Sequence, residues 1–118
     1  MDARISDLQK KVAKFVHERH WKKFHTPKDL ALSIVIETAE LLELFQWKTN
    51  KEIQKLLNDT KYRNRIEEEI ADIMIYILVL SNTLDIDLSK VVLQKIQINK
   101  DRYPIQKAKG NATKYTEF

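Results

Sequence analysis

The 118-residue sequence predicts an all-α fold, and three observations lead there. Between Pro27 and Pro104 there is no glycine and no other proline, so the middle of the chain is free of helix breakers. Apolar residues recur along it at intervals of three and four, the spacing of one helix face. Capping residues, Thr26 and Asp87, stand where two of these apolar series begin.

Taken in order, Ile5, Leu8, Val12, Phe15 and Val16 predict a first helix from about Asp2 to His20. His20 to His25 reads as a loop. Thr26 then caps a second helix, with Pro27 at its first position and Asp29 in its first turn. That helix runs to about Phe45 and is apolar on nearly every side from Leu30 onward, as expected of a helix at the centre of a bundle. Asn50 to Asn58 reads as a short helix or turn, with Ile53, Leu56 and Leu57 on its apolar side. A fourth helix starts near Lys61 and ends near Thr83. Its Ile73–Leu80 run could on its own be a buried strand, but Tyr62, Ile66, Ile70, Ile73 and Ile77 keep helical spacing. Asp87 caps a fifth helix, with Leu88, Val91, Val92 and Ile96 on its apolar side, ending at Tyr103 before Pro104. The sequence reads as one domain over 1–118, of which about 105–118 forms a basic, extended tail.

Composition narrows the chemistry. With 43% hydrophobic and 32% charged residues the chain reads as a soluble globular protein. The absence of cysteine excludes disulfides, a thiolate nucleophile and Cys-ligated zinc. Met1 to Ile5 lacks the apolar core of a signal peptide, and Ile73–Leu80, the longest apolar run, is too short to span a bilayer. A cytoplasmic protein without membrane partners is expected. The net charge of +4 comes from the first helix, Trp21-Lys22-Lys23 and the C-terminal third. It suits a polyanionic small ligand, a weak nucleic-acid surface or solubility alone. The one glycine, Gly110, excludes both a P-loop and a Rossmann turn. If phosphates bind here, side chains and metal ions must hold them.

Two carboxylate pairs carry the functional signal. Glu37 and Glu40 lie three apart in the most apolar helix. Glu69 and Asp72 lie three apart where the fourth helix turns from charged to apolar. Residues at i and i+3 share a helix face, so each pair presents two carboxylates side by side. Such acids among apolar neighbours cost several kcal/mol unless something neutralises them. Divalent cations between two facing helices would do so, and an all-oxygen donor set suits Mg²⁺ or Mn²⁺. The other reading is a set of partly exposed acids paired with Lys or Arg, which fits Glu67, Glu68 and Glu43. A di-iron bundle is disfavoured, because no His stands three residues after Glu37 or Glu69.

At these residues the sequence resembles the all-α nucleotide pyrophosphohydrolases, the MazG-like superfamily. Its metal motif is E-x-x-E followed at a distance by E-x-x-D, here Glu37-Thr38-Ala39-Glu40 and Glu69-Ile70-Ala71-Asp72. His25-Thr26-Pro27, Leu30, Glu43-Leu44-Phe45-Gln46-Trp47, Glu68, Tyr76, Lys95, Asn99 and Arg102-Tyr103-Pro104 resemble the dCTP pyrophosphatase branch in particular. The likeness covers about positions 5 to 115. Two departures stand out: Ile36 occupies a place where the family usually has glycine, and the tail is shorter than in animal members.

The resemblance implies a four-helix-bundle type of fold with an additional short helix. It implies a dimer or tetramer whose active sites are built partly from a neighbouring subunit. It also implies cleavage of a nucleoside triphosphate to monophosphate and pyrophosphate, with dCTP or a modified dCTP as the candidate substrate and pool sanitising as the role. Glu37, Glu40, Glu69 and Asp72 would then be both metal ligands and catalytic groups, with Mg²⁺ or substituting Mn²⁺ as cofactor. Lys95, Asn99 and Arg102, on one stripe of the fifth helix, would grip phosphates, although they also read as a solvated face. Trp21 and Trp47 read as stacking platforms or core caps. The resemblance moves both, with His25 and Tyr76, towards a base and sugar pocket, and leaves His17 and His20 as surface residues. The rival class is a helical nucleic-acid or protein binding module without catalysis, using Lys10, Lys11, Lys14, Arg19, Lys22 and Lys23. It explains the charge but not the acids, and under the enzyme reading no stable nucleic-acid partner is expected.

Overall fold

The computed structural model describes residues 3–117, whose backbone forms six α-helices and no strand. They are α1 (Ile5–Glu18), α2 (Pro27–Glu43), α3 (Asn50–Leu56), α4 (Thr60–Thr83), α5 (Leu88–Arg102) and α6 (Ile105–Ala108). The expected helix start at Asp2 lies outside the described residues. Between α1 and α2 runs a short 3₁₀ turn, Lys22–Phe24. The stretch read as an extended tail carries α6 and a second 3₁₀ turn, Tyr115–Glu117, because Pro104 restarts a helical turn immediately after α5. Ile73–Leu80 is helical, so the strand alternative falls.

Helix starts follow local chemistry. The Thr26 and Thr49 hydroxyls accept from the Asp29 and Glu52 amides, and the Asp59 and Asp87 carboxylates from those of Lys61 and Lys90. The Asp7 carboxylate accepts from the Arg4 amide at the start of α1. Two residues beyond the ends of α1 and α4 stand residues with positive φ, His20 (53°) and Asp85 (53°). After each, an amide reaches back six residues by inclusive count: Trp21 N–H to Val16 O at 3.1 Å and Ile86 N–H to Ser81 O at 2.8 Å. That is the Schellman closure, accomplished here without glycine.

The chain divides into two compact units, Met1–Ile86 and Asp87–Phe118. In the first, α4 is the spine and packs against both α1 and α2. Its core is small: Val16, Leu30 and Val79 are buried together, with Val12, Tyr76 and Leu80 against them. Gln9 and Asn82 clasp α1 to the end of α4. Gln9 Nε2 donates to Asn82 Oδ1 (3.2 Å) and Ile86 O (3.0 Å), and Asn82 Nδ2 donates to Gln9 O (2.9 Å). At the other end, the buried Tyr62 hydroxyl donates to Leu44 O at 2.6 Å and the ring meets Phe45 edge-on, tying α2 to α4.

Helix α2 departs from the expectation of a helix enclosed on all sides. Leu30 is its one buried residue, while Leu32, Val35, Ile36 and Leu42 are each more than half exposed. An all-round apolar helix needs partners on every face, and within its unit α2 packs mainly on α4. In the second unit, α5 has no buried residue and shows Val91, Val92, Leu93, Ile96 and Ile98 to solvent.

Candidate active site

Helical spacing and antiparallel packing together assemble the acidic site. On α4, Glu69, Asp72, Tyr76, Val79 and Thr83 step by three and four and so share one stripe. On α2, Leu30, Glu37 and Glu40, spaced by seven and three, likewise share one stripe. Leu30 meets Val79 at one end of the pair and Glu37 meets Glu69 at the other, so the stripes face each other in opposite directions. The result is an apolar end and an acidic end of a single helix–helix seam.

At the acidic end, one carboxylate oxygen from each of Glu37, Glu40 and Glu69 lies within 4.8 Å of the other two. The Oε2 atoms of Glu37 and Glu69 are shielded from solvent and receive no hydrogen bond. Burial, then hydrogen-bond contact with the Glu40 and Glu69 carboxyls, then the negative charges of Glu40 and Asp72, raise the Glu37 carboxyl from 4.5 to about 7. Among the described residues no Lys or Arg pairs with any of the four acids. Convergent, unbonded, all-oxygen donors fit a hard divalent cation, which would supply the positive charge that the surrounding side chains do not.

The other expected residues are distributed more widely. Trp21 and His25 meet edge-on at 6.5 Å between centroids. Tyr76 packs on the Val16–Leu30–Val79 core. Trp47 lies past the opposite end of the 17-residue α2, which rises about 25 Å. The residue is 92% exposed and its backbone is held at φ 65°. The proposed base-binding quartet is thus not gathered at one point within the first unit. Lys95, Asn99 and Arg102 keep their common stripe on α5, all exposed, in the second unit.

Sequence reasoning missed a cavity of about 280 Å³ at the apolar end of the seam, walled in part by His17, Lys22, His25, Asn82 and Thr83. His17 is exposed as expected, yet it contributes to that wall. Its signal was weak: His17 and Ala13 follow Val16 around α1, which marks a flank of the apolar stripe but not a pocket.

The MazG-like family matches residues 32–118, from the exposed face of α2 through both acidic pairs to the C-terminus. The chain belongs to the MazG-like family. Its relatives include dCTP pyrophosphatase 1 of Rattus norvegicus, 38% identical over 114 residues, which cover 97% of this chain and 67% of that protein. The Homo sapiens dCTP pyrophosphatase 1 is 40% identical with the same coverage. A solved pyrophosphatase from Archaeoglobus fulgidus DSM 4304 superimposes with a TM-score of 0.77 at 40% identity, over 88% of this chain and 95% of that one. This MazG-like chain is accordingly an all-α hydrolase of the nucleotide pyrophosphohydrolase class. No helix among the described residues is long and apolar enough to cross a membrane.

Proposed function

We propose that this protein hydrolyses a deoxynucleoside triphosphate, dCTP or a modified dCTP, to its monophosphate and pyrophosphate at Glu37, Glu40, Glu69 and Asp72, with Mg²⁺ as cofactor and Mn²⁺ as a substitute. The observation that carries the proposal is the convergence of carboxylates from α2 and α4 with two shielded oxygens left unbonded. The names of the relatives suggest the substrate.

Divalent cations held there would cancel phosphate charge and make water a better nucleophile at neutral pH. The four acids supply the hard oxygen donors for that charge. A carboxylate that stays deprotonated accepts a proton from the attacking water as its oxygen bonds to the α-phosphorus. The bond from that phosphorus to the bridging oxygen then breaks, and pyrophosphate leaves with the electron pair. Lys95, Asn99 and Arg102 are proposed to bind phosphate oxygens, and Trp21, His25, Trp47 and Tyr76 the base and sugar.

The same proposal includes a homo-oligomer, dimer or tetramer, in the cytoplasm. Leu32, Val35, Ile36 and Leu42 on α2 are too many exposed apolar residues for a small monomer surface, and a second copy would cover them. A spread-out base and sugar set agrees with sites completed by a neighbouring subunit. Light scattering on the wild type and on Val35→Asp tests this, with a drop in mass expected for the variant.

The decisive experiment is a panel of NTPs and dNTPs with Mg²⁺, scoring monophosphate and pyrophosphate separately. Glu40→Gln and Asp72→Asn should each lower turnover by about 100-fold or more, the scale of losing a charge-stabilising group. Full turnover in both variants, or release of orthophosphate alone, would overturn the assignment.

A further inference from the structure

We propose, on the reading of Trp21 as part of the base pocket, that Phe15 and Arg19 are positioning residues, which hold the Trp21 indole at the angle that receives the nucleobase. A line of side-chain contacts runs past the end of α1. The Arg19 guanidinium lies over the Phe15 ring, 3.7 Å from its centroid. Phe15 in turn meets Trp21 edge to face, with centroids 5.6 Å apart and planes at 79°. Trp21 then meets His25 in the same manner at 6.5 Å.

The core does not fix these rings. Phe15 is 44% exposed and Trp21 43%, and neither belongs to the Val16–Leu30–Val79 cluster. The Trp21 backbone is fixed, because its N–H donates to Val16 O at 3.1 Å and its carbonyl accepts from the Phe24 N–H at 2.9 Å. Only the χ1 and χ2 torsions are left to aim the indole. A half-exposed indole with no neighbour would exchange rotamers freely. The edge-to-face contact favours one of them, since the positive rim of one ring meets the negative face of the other.

Arg19 fixes Phe15 in two ways. The two residues stand four apart at the close of α1, where Arg19 is the C-cap, so their side chains share a face. Nη1 of Arg19 donates to Phe15 O at 3.1 Å while the guanidinium covers the ring. Glu18 leaves that arrangement in place, since Lys14 approaches its carboxylate to 3.7 Å and Arg19 only to 4.0 Å. A stacking platform already held in one orientation gives up less entropy when substrate arrives. The gain therefore appears as tighter substrate binding rather than as faster chemistry.

Steady-state kinetics of the full chain with Mg²⁺ and the dNTP hydrolysed best in the substrate panel test this role. Trp21→Ala should raise KM about tenfold or more, the scale of one lost base stack. Phe15→Leu, which removes the ring contact but keeps an apolar side chain, should raise KM about fivefold with kcat within about twofold of wild type. Arg19→Gln should raise KM about threefold, and its exposed position keeps this arm usable should Phe15→Leu fold poorly. Phe15→Tyr restores a ring and should restore the wild-type KM. The deciding arm is the double variant Phe15→Leu/Trp21→Ala, whose KM should match that of Trp21→Ala within about twofold, because Phe15 acts through the indole. Equal KM increments from Phe15→Leu with and without Trp21 would overturn the proposal. So would a fall in kcat with KM unchanged, or a Phe15→Tyr protein as impaired as Phe15→Leu. Unchanged KM in both Phe15→Leu and Arg19→Gln, beside a raised one in Trp21→Ala, would sink the positioning role and leave the base pocket standing. An unchanged KM in Trp21→Ala would instead remove Trp21 from the base pocket, and this role with it.

Discussion

The two ends of the α2–α4 seam use the same backbone geometry for opposite ends. At one, Leu30 and Val79 close on Val16 and exclude water, so the pairing of helices is itself the favourable contact. At the other, Glu37 and Glu69 occupy equivalent stripe positions, and closing the helices forces like charges to within 4.8 Å with Glu40. One end stabilises the fold and the other is stabilised only when something positive binds. On the proposed function, the contact that holds the fold and the acids that would hold the cation lie at opposite ends of one helix pair.

The largest effect expected on stability comes from the apolar end. Leu30 is 1% exposed, and Leu30→Ala should cost about 2–5 kcal/mol in denaturant unfolding. A cost below about 1 kcal/mol would mean that the Val16–Leu30–Val79 cluster does not hold the seam.

The acidic end should behave in the reverse sense. In metal-free protein the fold holds a proton on Glu37 that the unfolded chain releases above about 4.5, so its stability should fall as pH rises from there through about 7. Thermal melts in EDTA should show this slope, and Glu37→Gln should flatten it and raise the melting temperature at pH 8. Mg²⁺ should raise the melting temperature more at pH 8 than at pH 6, because it competes with that proton. A pH-independent response to Mg²⁺ would remove Glu37 from the site.

Smaller effects sharpen the comparison further. Tyr62→Phe leaves the buried Leu44 carbonyl without its donor and should cost about 1–2 kcal/mol. Asp85→Gly, at φ 53°, should stabilise by up to about 1 kcal/mol by relieving a left-handed residue at the close of α4. Chemical denaturation resolves both, and a destabilised Asp85→Gly would show that the aspartate side chain contributes something the turn geometry does not.

Much of this was legible in the linear chain. Thr26, Pro27 and Asp29 start α2, and Asp87 starts α5, through bonds between near neighbours. The long α4 could be told from a strand because Tyr62, Ile66, Ile70, Ile73 and Ile77 keep the period of a helix even where β-branched residues crowd. The acids of the site were equally visible, since a charge among apolar neighbours at i and i+3 is itself the signal. The short α6 was not legible, because four residues carry too few periods to register. The enclosed position expected of α2 came from reading hydrophobicity as burial, whereas an apolar face only requires a partner and does not say which chain supplies it.

The sequence alone determined the five longer helices, the Thr26 and Asp87 caps and the two acidic pairs, because each depends on residues within about one turn of each other. The tertiary structure decided which pair of stripes faces which, and so why the Glu37 carboxyl is raised towards neutrality. It also decided that His17, Lys22 and Thr83, unremarkable in the chain, share one cavity wall. Those outcomes depend on how helices far apart in sequence meet, and Leu30 against Val79, 49 residues on, sets that register.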